Sequence, residues 1–391
     1  MGLLLHTPVG RAVVAGVAAL AIGTVAGLAI LWPSDDTAEL SDVFGQKTES
    51  AEVVDVAAAE CRNPAVSDCE ELTLELRSGP DTDARSTIIS GDSGPAPDLG
   101  VGDRVRVTKN DVPPGSGPGA EAYALSEVER QTPMLWLLLV FSLLVVVFGR
   151  LRGALALIGL GVSLLVVAKF IVPAILEGEA PLAVAIVGAV AVMLATITLA
   201  HGVNAKSLAA ILGTAGSLVL TVMLALLFTE LAKLTGLSSE EATLLQASGT
   251  DVSLEGLVLA GMVIGALGVL DDVTVSQAST VMALRRANPT HGVLEIYRGA
   301  IEVGRDHVAA TVNTLVLAYV GASLPILLIF GVGDVAFLDA INREAVAEQV
   351  VAMLVGSIGL IAAVPLTTGL AAVLATRMPT AAVTGEHAHA H

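Results

Sequence analysis

The sequence predicts an all-α polytopic membrane bundle of about eight transmembrane helices, with a small all-β, OB-like extracytoplasmic domain between helices 1 and 2. Three observations predict it. The 391 residues are 54% hydrophobic and only 15% charged, too apolar for an ordinary soluble protein. Eight apolar stretches approach or exceed the ~20 residues a helix needs to cross ~30 Å of hydrocarbon. Between the first two lies a stretch, 33–132, with 21 acids against 8 bases, where apolar and polar residues alternate as in half-buried strands.

The first apolar stretch, Ala12 to Trp32, is long enough to span, and Leu31-Trp-Pro-Ser-Asp-Asp36 offers no small-x-small cleavage site. It reads as a retained anchor (1–32) with Arg11 on the inner side rather than a cleaved signal peptide. The acidic domain (33–132) follows. Its runs at 51–56, 71–76, 87–90, 104–107 and 123–128 suggest five short strands of a small barrel. The Gly102-Asp103 pair supplies a turn into the fourth. Cys61 and Cys69 both fall in this domain, and two thiols in an exported domain are expected to form a disulfide. Its acidity and its single strand aromatic, Tyr123, exclude nucleic-acid binding, which needs basic charge and stacking surfaces. Docking of an extracytoplasmic protein partner suits it better.

Seven further spans are predicted near 134–148, 153–173, 181–200, 207–231, 254–275, 308–330 and 346–375, forming a membrane domain over 133–376. Basic residues test the count, because cytoplasmic loops carry the excess of Lys and Arg. With the N-terminus inside, Arg11, Arg150, Arg152, Lys206, Arg285, Arg286, Arg298, Arg305 and Arg377 fall inside, against Lys169, Lys233 and Arg343 outside. Both termini are therefore expected in the cytoplasm, in a cytoplasmic-membrane protein whose barrel faces out. The end, 377–391, reads as a disordered cytoplasmic tail. Its alternating His387, His389 and His391 do not amount to a metal site.

One span turns polar without stopping. After the apolar run 254–270 come Asp271, Asp272, Thr274, Ser276, Gln277, Ser279 and Thr280, well before the basic pair Arg285-Arg286. Ionisable groups at membrane depth are costly unless they face protein or water, which marks them as functional candidates. On a helix Asp272, Ser276 and Ser279 share one face, while Asp271 and Thr274 lie on a neighbouring one. The next span brings Asp306 and Asn313, seven apart, with Thr314 beside them and Pro325 where the helix can break. Two neighbouring helices would then present carboxylates and neutral polar groups to the same membrane half. Asp272 and Asp306 are the expected ion or proton ligands, Ser276, Asn313 and Thr314 the groups that orient a cargo, and Asp271 and Ser279 their neighbours. An amphipathic helix is expected across 285–305.

Gly265-Ala-Leu-Gly268, Asp272 with Ser276 and Ser279, and Val303-Gly-Arg-Asp306 running through Val312-Asn-Thr-Leu-Val-Leu-Ala-Tyr-Val-Gly321 to Leu324-Pro325 resemble the YibE/F family of integral membrane proteins. A second family-like segment is His201-Gly-Val-Asn-Ala-Lys-Ser207. The resemblance covers roughly 134–375 and implies a multi-pass bacterial membrane protein with an extracytoplasmic module near its N-terminus. It carries no settled substrate. Asp271 departs from the apolar residue of the relatives, which places Asp272 ahead of it. The expected function is a permease or exporter for an ion or small polar solute. The alternative is a non-transporting scaffold with a docking domain. No nucleophile, base and orienter assemble into an enzyme site, no cofactor is implied, and no phosphate-binding Gly-x-x-x-x-Gly-Lys-Ser/Thr loop is present. Membrane lipid is the certain partner, and homo- or hetero-oligomers are left open.

Overall fold

The structure, a computed structural model, describes residues 7–34, 47–61, 69–92, 97–110, 122–247, 251–333 and 336–377. The histidine tail lies outside them. The described residues divide into two units, a β module within 38–144 and a helical bundle formed by residues up to 37 and from 145 onward.

All five alternating runs form strands: β1 (Thr48–Ala59), β2 (Cys69–Leu76), β3 (Arg85–Ser90), β4 (Arg104–Lys109) and β5 (Tyr123–Val128). They make one antiparallel sheet in the order β3-β2-β1-β4-β5. Period two decides which side chains go in: Ala51 and Val53, Leu72, Leu74 and Leu76, Ile88, Val105 and Val107 share one core with Leu99 and Tyr123. A register shift between Val53 and Asp55 bends β1, and β3 curls round toward β5. There Gly102, at φ +96°, donates its N–H to the Val53 carbonyl, a turn that only glycine makes without strain. Cys61 and Cys69 are joined as a disulfide with their Cα atoms 5.3 Å apart.

Asp81, in the β2–β3 turn, ties the curl together by accepting hydrogen bonds from Lys109 Nζ (2.5 Å) on β4 and the Tyr123 hydroxyl (2.6 Å) on β5. Those bonds, Lys109's first, hold its carboxyl below the usual carboxylate range. Burial, followed by the bond to Asp81, pushes the Tyr123 phenol up. Asp81 binds its proton less readily folded than unfolded, so its contribution is present above the unfolded-state pKa and is lost as pH falls through the lower folded value. Acidification from pH 6 to pH 3 should therefore raise the proteolysis rate within residues 47–130 of the intact protein. Asp81→Asn should be cut faster at pH 6 and respond less to acid.

The helices are α1 (Pro8–Ile30), α2 (Gln131–Val166), α3 (Val172–Leu176, joined to α2 by a π-helical turn), α4 (Pro181–His201), α5 (Ala205–Ala232), α6 (Glu240–Ala247), α7 (Leu254–Ala287), α8 (Val293–Ala322), α9 (Leu324–Val332), α10 (Phe337–Ile341) and α11 (Glu344–Arg377). Side-chain caps mark several starts: Thr7 accepts from Gly10 N–H, Asn204 from Ser207 N–H and Ser253 from Gly256 N–H, all near 3 Å. At α8 the Glu295 carboxylate accepts from Gly292 N–H at 2.8 Å.

Among the described residues six helices are long and apolar enough to cross a membrane, and a seventh crossing follows if α8 and α9, bent by 59° at Ser323, count as one. The eight expected spans differ from this at one place. Gln131–Leu176 is a single helical stretch of 46 residues where two spans were predicted, about twice the length that ~30 Å of hydrocarbon needs. Arg150 interrupts it with φ 51° and ψ −133°. A Cβ on Gly153 would lie 2.2 Å from the Val145 carbonyl oxygen, whereas eight residues of straight helix would separate those turns by about 12 Å. The chain doubles back at Arg150.

The predicted amphipathic segment and the span after it also merge, because α8 is unbroken from Val293 to Ala322. At the centre of the bundle α5, α7 and α11 pack on one another, with α4 on α7, and α8 on both α7 and α11. Small residues allow this closeness: a Cβ on Gly213 would meet Thr367 Oγ1 at 2.0 Å, and one on Gly359 would meet Thr221 Oγ1 at 2.1 Å. α7 sits among four neighbours, and its polar segment is what they share.

Candidate functional site

Three residues of α7, each three apart, reach three different helices. A helix turns by about 300° over three residues, so Asp271, Thr274 and Gln277 step round the axis. Asp271 Oδ2 accepts from the Thr196 hydroxyl of α4 at 3.0 Å. The Thr274 and Thr214 hydroxyls, the latter on α5, lie 2.6 Å apart. Thr368 of α11 donates to Gln277 Oε1 at 3.0 Å. The last two pairs are fully buried and matched, so they lock the bundle.

Asp271 is different. Its Oδ1 is buried and has no hydrogen-bond partner. It lines a cavity of about 340 Å³ between α2, α4 and α7, together with Asp272, Ser276, Thr196 and His201, over a floor of Gly159, Gly268 and Ala200. His201 Nδ1 is likewise buried and unpartnered. Among the described residues no lysine or arginine lines the cavity; Lys206 and Arg152 act on His201 through their fields. A chamber whose described lining carries two carboxylates, one imidazole and two hydroxyls can accept hydrogen bonds from a hydrated cation or a donor-rich polar molecule.

The structure brings together part of the sequence-predicted set. Asp271, Asp272 and Ser276 share the cavity, Asp272 as an exposed residue and the other two half-buried. Ser279 turns back to its own helix, donating to the Val275 carbonyl at 2.7 Å. The α8 residues do not converge on α7. Gly299 faces Leu284, Gly304 faces Gln277 and Val364, and Tyr319 faces Gly265, so α8 runs antiparallel to α7 with Gly304 on the packed side. Asp306 and Asn313 lie about 200° and about 180° round from Gly304, and both are exposed. Asp306 is level with Ser276 but on the outer face. Thr314 is also exposed and donates to the Ala310 carbonyl at 3.1 Å. The expected pairing of Asp272 with Asp306 is therefore absent, because the helical turn carries Asp306 away from the interface.

Thr196 and His201 are functional candidates that sequence reasoning did not single out, although His201 opened a segment noted for its resemblance. The signal for Thr196 is faint: a hydroxyl in Ala195-Thr-Ile-Thr-Leu199 looks like any back-bonding threonine, and Thr198 is one.

These features define a polytopic helical membrane protein with a polar chamber among its spans. The chain belongs to the family described as YibE/F-like protein, which matches residues 137–377. That match takes in all of the cavity and leaves the β module outside. No curated protein and no solved structure matches the chain.

Proposed function

We propose that the protein is a permease or exporter for an ion or small polar solute, with its binding point in the cavity between α2, α4 and α7. The observation that carries this reading is Asp271, half-buried on the wall of that cavity with its Oδ1 left without a hydrogen-bond partner. An orphaned acceptor costs on the order of 1–3 kcal/mol unless a water or a ligand meets it. The path is moved from the α7–α8 seam to the α4–α7 seam relative to the sequence expectation. Asp271 binds, Asp272 and Ser276 line the approach, and Thr196 holds Asp271 in place. Without a phosphate-binding loop, energy comes from an ion gradient or from a separate ATPase.

In this reading Gln131–Leu176 crosses twice, doubling back at Arg150, which restores eight crossings with α8 and α9 as one bent span. The bias of Lys and Arg then supports both termini in the cytoplasm of a bacterial cell and the β module outside. The curl of five strands about a central β1 supports an OB-like barrel, whose acidic surface suits a docked protein partner.

The scaffold reading keeps one observation in its favour: the Thr214–Thr274 and Gln277–Thr368 pairs are complete and need no cargo. Flux measurements in liposomes, screened across ions and small polar metabolites with and without a pH gradient, separate the two. For a transporter, Asp271→Asn lowers flux at least about tenfold while yield and melting temperature stay unchanged. For a scaffold, wild type shows no flux, and Thr274→Val or Gln277→Leu lowers the yield of assembled protein.

A further inference from the structure

Resting on the transport reading, we propose that the cavity at Asp271 takes a hard divalent cation of the magnesium type with most of its water shell in place. Charge is the first argument. Two consecutive carboxylates line the chamber and, among the described residues, no lysine or arginine does, so an occupant that neutralises it is cationic. The form of the cation follows from the donor set. Among the described residues no group of three or more His, Cys, Asp or Glu side chains is placed to hold a metal ion, so the chamber offers a cation two carboxylates rather than a full set of ligands to replace its waters. Magnesium-type ions dehydrate reluctantly and are held through one or two carboxylates while keeping several waters.

Space and hydrogen bonding agree with this. Six waters at about 30 Å³ each take roughly 180 Å³, which fits the cavity of about 340 Å³. A hydrated cation presents only hydrogen-bond donors at its surface. The residues that line the chamber carry acceptors for it: the Asp271 and Asp272 carboxylates and the Ser276 hydroxyl oxygen.

Thr196 completes the arrangement as a positioning residue. Its single proton has three acceptors within reach, the carbonyls of Val192 (2.9 Å) and Met193 (3.2 Å) and Asp271 Oδ2 (3.0 Å). Donation to Oδ2 fixes the rotamer of a carboxylate on the cavity wall. Valine at this position keeps the shape and removes the donor.

The test is equilibrium binding to the purified full chain in detergent, by calorimetry, with Mg²⁺ and with hexaamminecobalt(III), whose ammine shell does not exchange and so imitates the hydrated ion. Wild type should bind Mg²⁺ at about one equivalent, and hexaamminecobalt(III) should displace it. Asp271→Asn should weaken binding at least about tenfold. Thr196→Val should weaken it about three- to tenfold, and Thr196→Ser should recover it, a rescue that loss of packing alone would not produce. Zn²⁺ should gain no large advantage over Mg²⁺. Gly268→Leu fills the chamber without touching a carboxylate and should also abolish binding, which keeps the test valid if Asp271→Asn fails to fold.

The proposal is overturned if wild type binds neither probe, if Asp271→Asn and Gly268→Leu bind like wild type, or if Mg²⁺ binds and hexaamminecobalt(III) does not compete. Absence of cation binding with persistent, Gly268-dependent flux of a neutral solute would end this proposal and leave transport standing. Cation binding without flux in liposomes would do the reverse.

Discussion

Replacing Gly213 by leucine is expected to abolish recovery of folded, monodisperse protein. Position 213 lies at a close approach of α5 and α11: even a single Cβ would sit 2.0 Å from Thr367 Oγ1, 2.8 Å from its Cβ and 3.1 Å from its Cα. A hydroxyl can rotate away, but a backbone atom moves only with its helix. The change therefore has to separate α5 from α11, and both pack on α7. Overpacking of this kind costs about 1–3 kcal/mol where side chains alone adjust and more where backbones must shift. Separating these helices also uncouples the Thr214–Thr274 pair, which sits one residue away on α5. Gly213→Ala should show the same defect in milder form, as a melting temperature several degrees lower in detergent. Thr367→Gly, which moves the gap to the facing helix, should recover part of the loss in the double variant. Gly216→Ala is the control on the same helix, since its Cβ would meet nothing nearer than 3.9 Å.

Such closeness was only half legible in the sequence. A wealth of Gly and Ala on apolar stretches announces close helices, but it cannot say that Gly213 meets Thr367 on a helix about 150 residues later. The β module was more legible because period-two alternation is a local signal. Runs such as Glu71-Leu-Thr-Leu-Glu-Leu76 state both that a strand forms and which side chains enter the core. The polar breach of α7 was legible for the same reason. Which of its residues meets which neighbour was not, because that depends on the helices packed around it.

Asp272 ranked ahead of Asp271 on resemblance. Packing makes Asp271 the residue held by Thr196, and the 100° between them leaves Asp272 exposed. A break at Arg150 was expected between the spans near 134–148 and 153–173, but not its form, since a positive φ is expected of a glycine. Here Gly149 and Gly153 flank the turn, while arginine occupies the positive φ. For α8, the seven-residue spacing placed Asp306 and Asn313 correctly on a common face. Only the contact of Gly304 with Gln277 and Val364 shows that this face points outward.

The same substitution at Gly268 should have the opposite outcome, and the contrast separates a residue that holds the bundle from one that keeps its chamber open. Gly268 lies on α7 one turn before Asp271 and Asp272, lines the cavity, and a Cβ added there would meet nothing within 4 Å. Leucine at 268 enters existing space, so no helix has to move. Replacing glycine inside a helix gains about 0.8–1 kcal/mol of helix propensity, and the added apolar carbons cover part of the chamber wall. Gly268→Leu should therefore be recovered in wild-type yield, with a melting temperature equal to or a few degrees above wild type. Its flux in liposomes should fall below one tenth of the wild-type rate, because the side chain occupies the cavity that Asp271 lines. Gly268→Ala adds one carbon and should retain intermediate flux, giving a series graded by volume at constant charge. Flux at the wild-type level in a folded Gly268→Leu protein would show that cargo does not pass through this chamber, and the binding point would have to be sought on the outward polar face of α8.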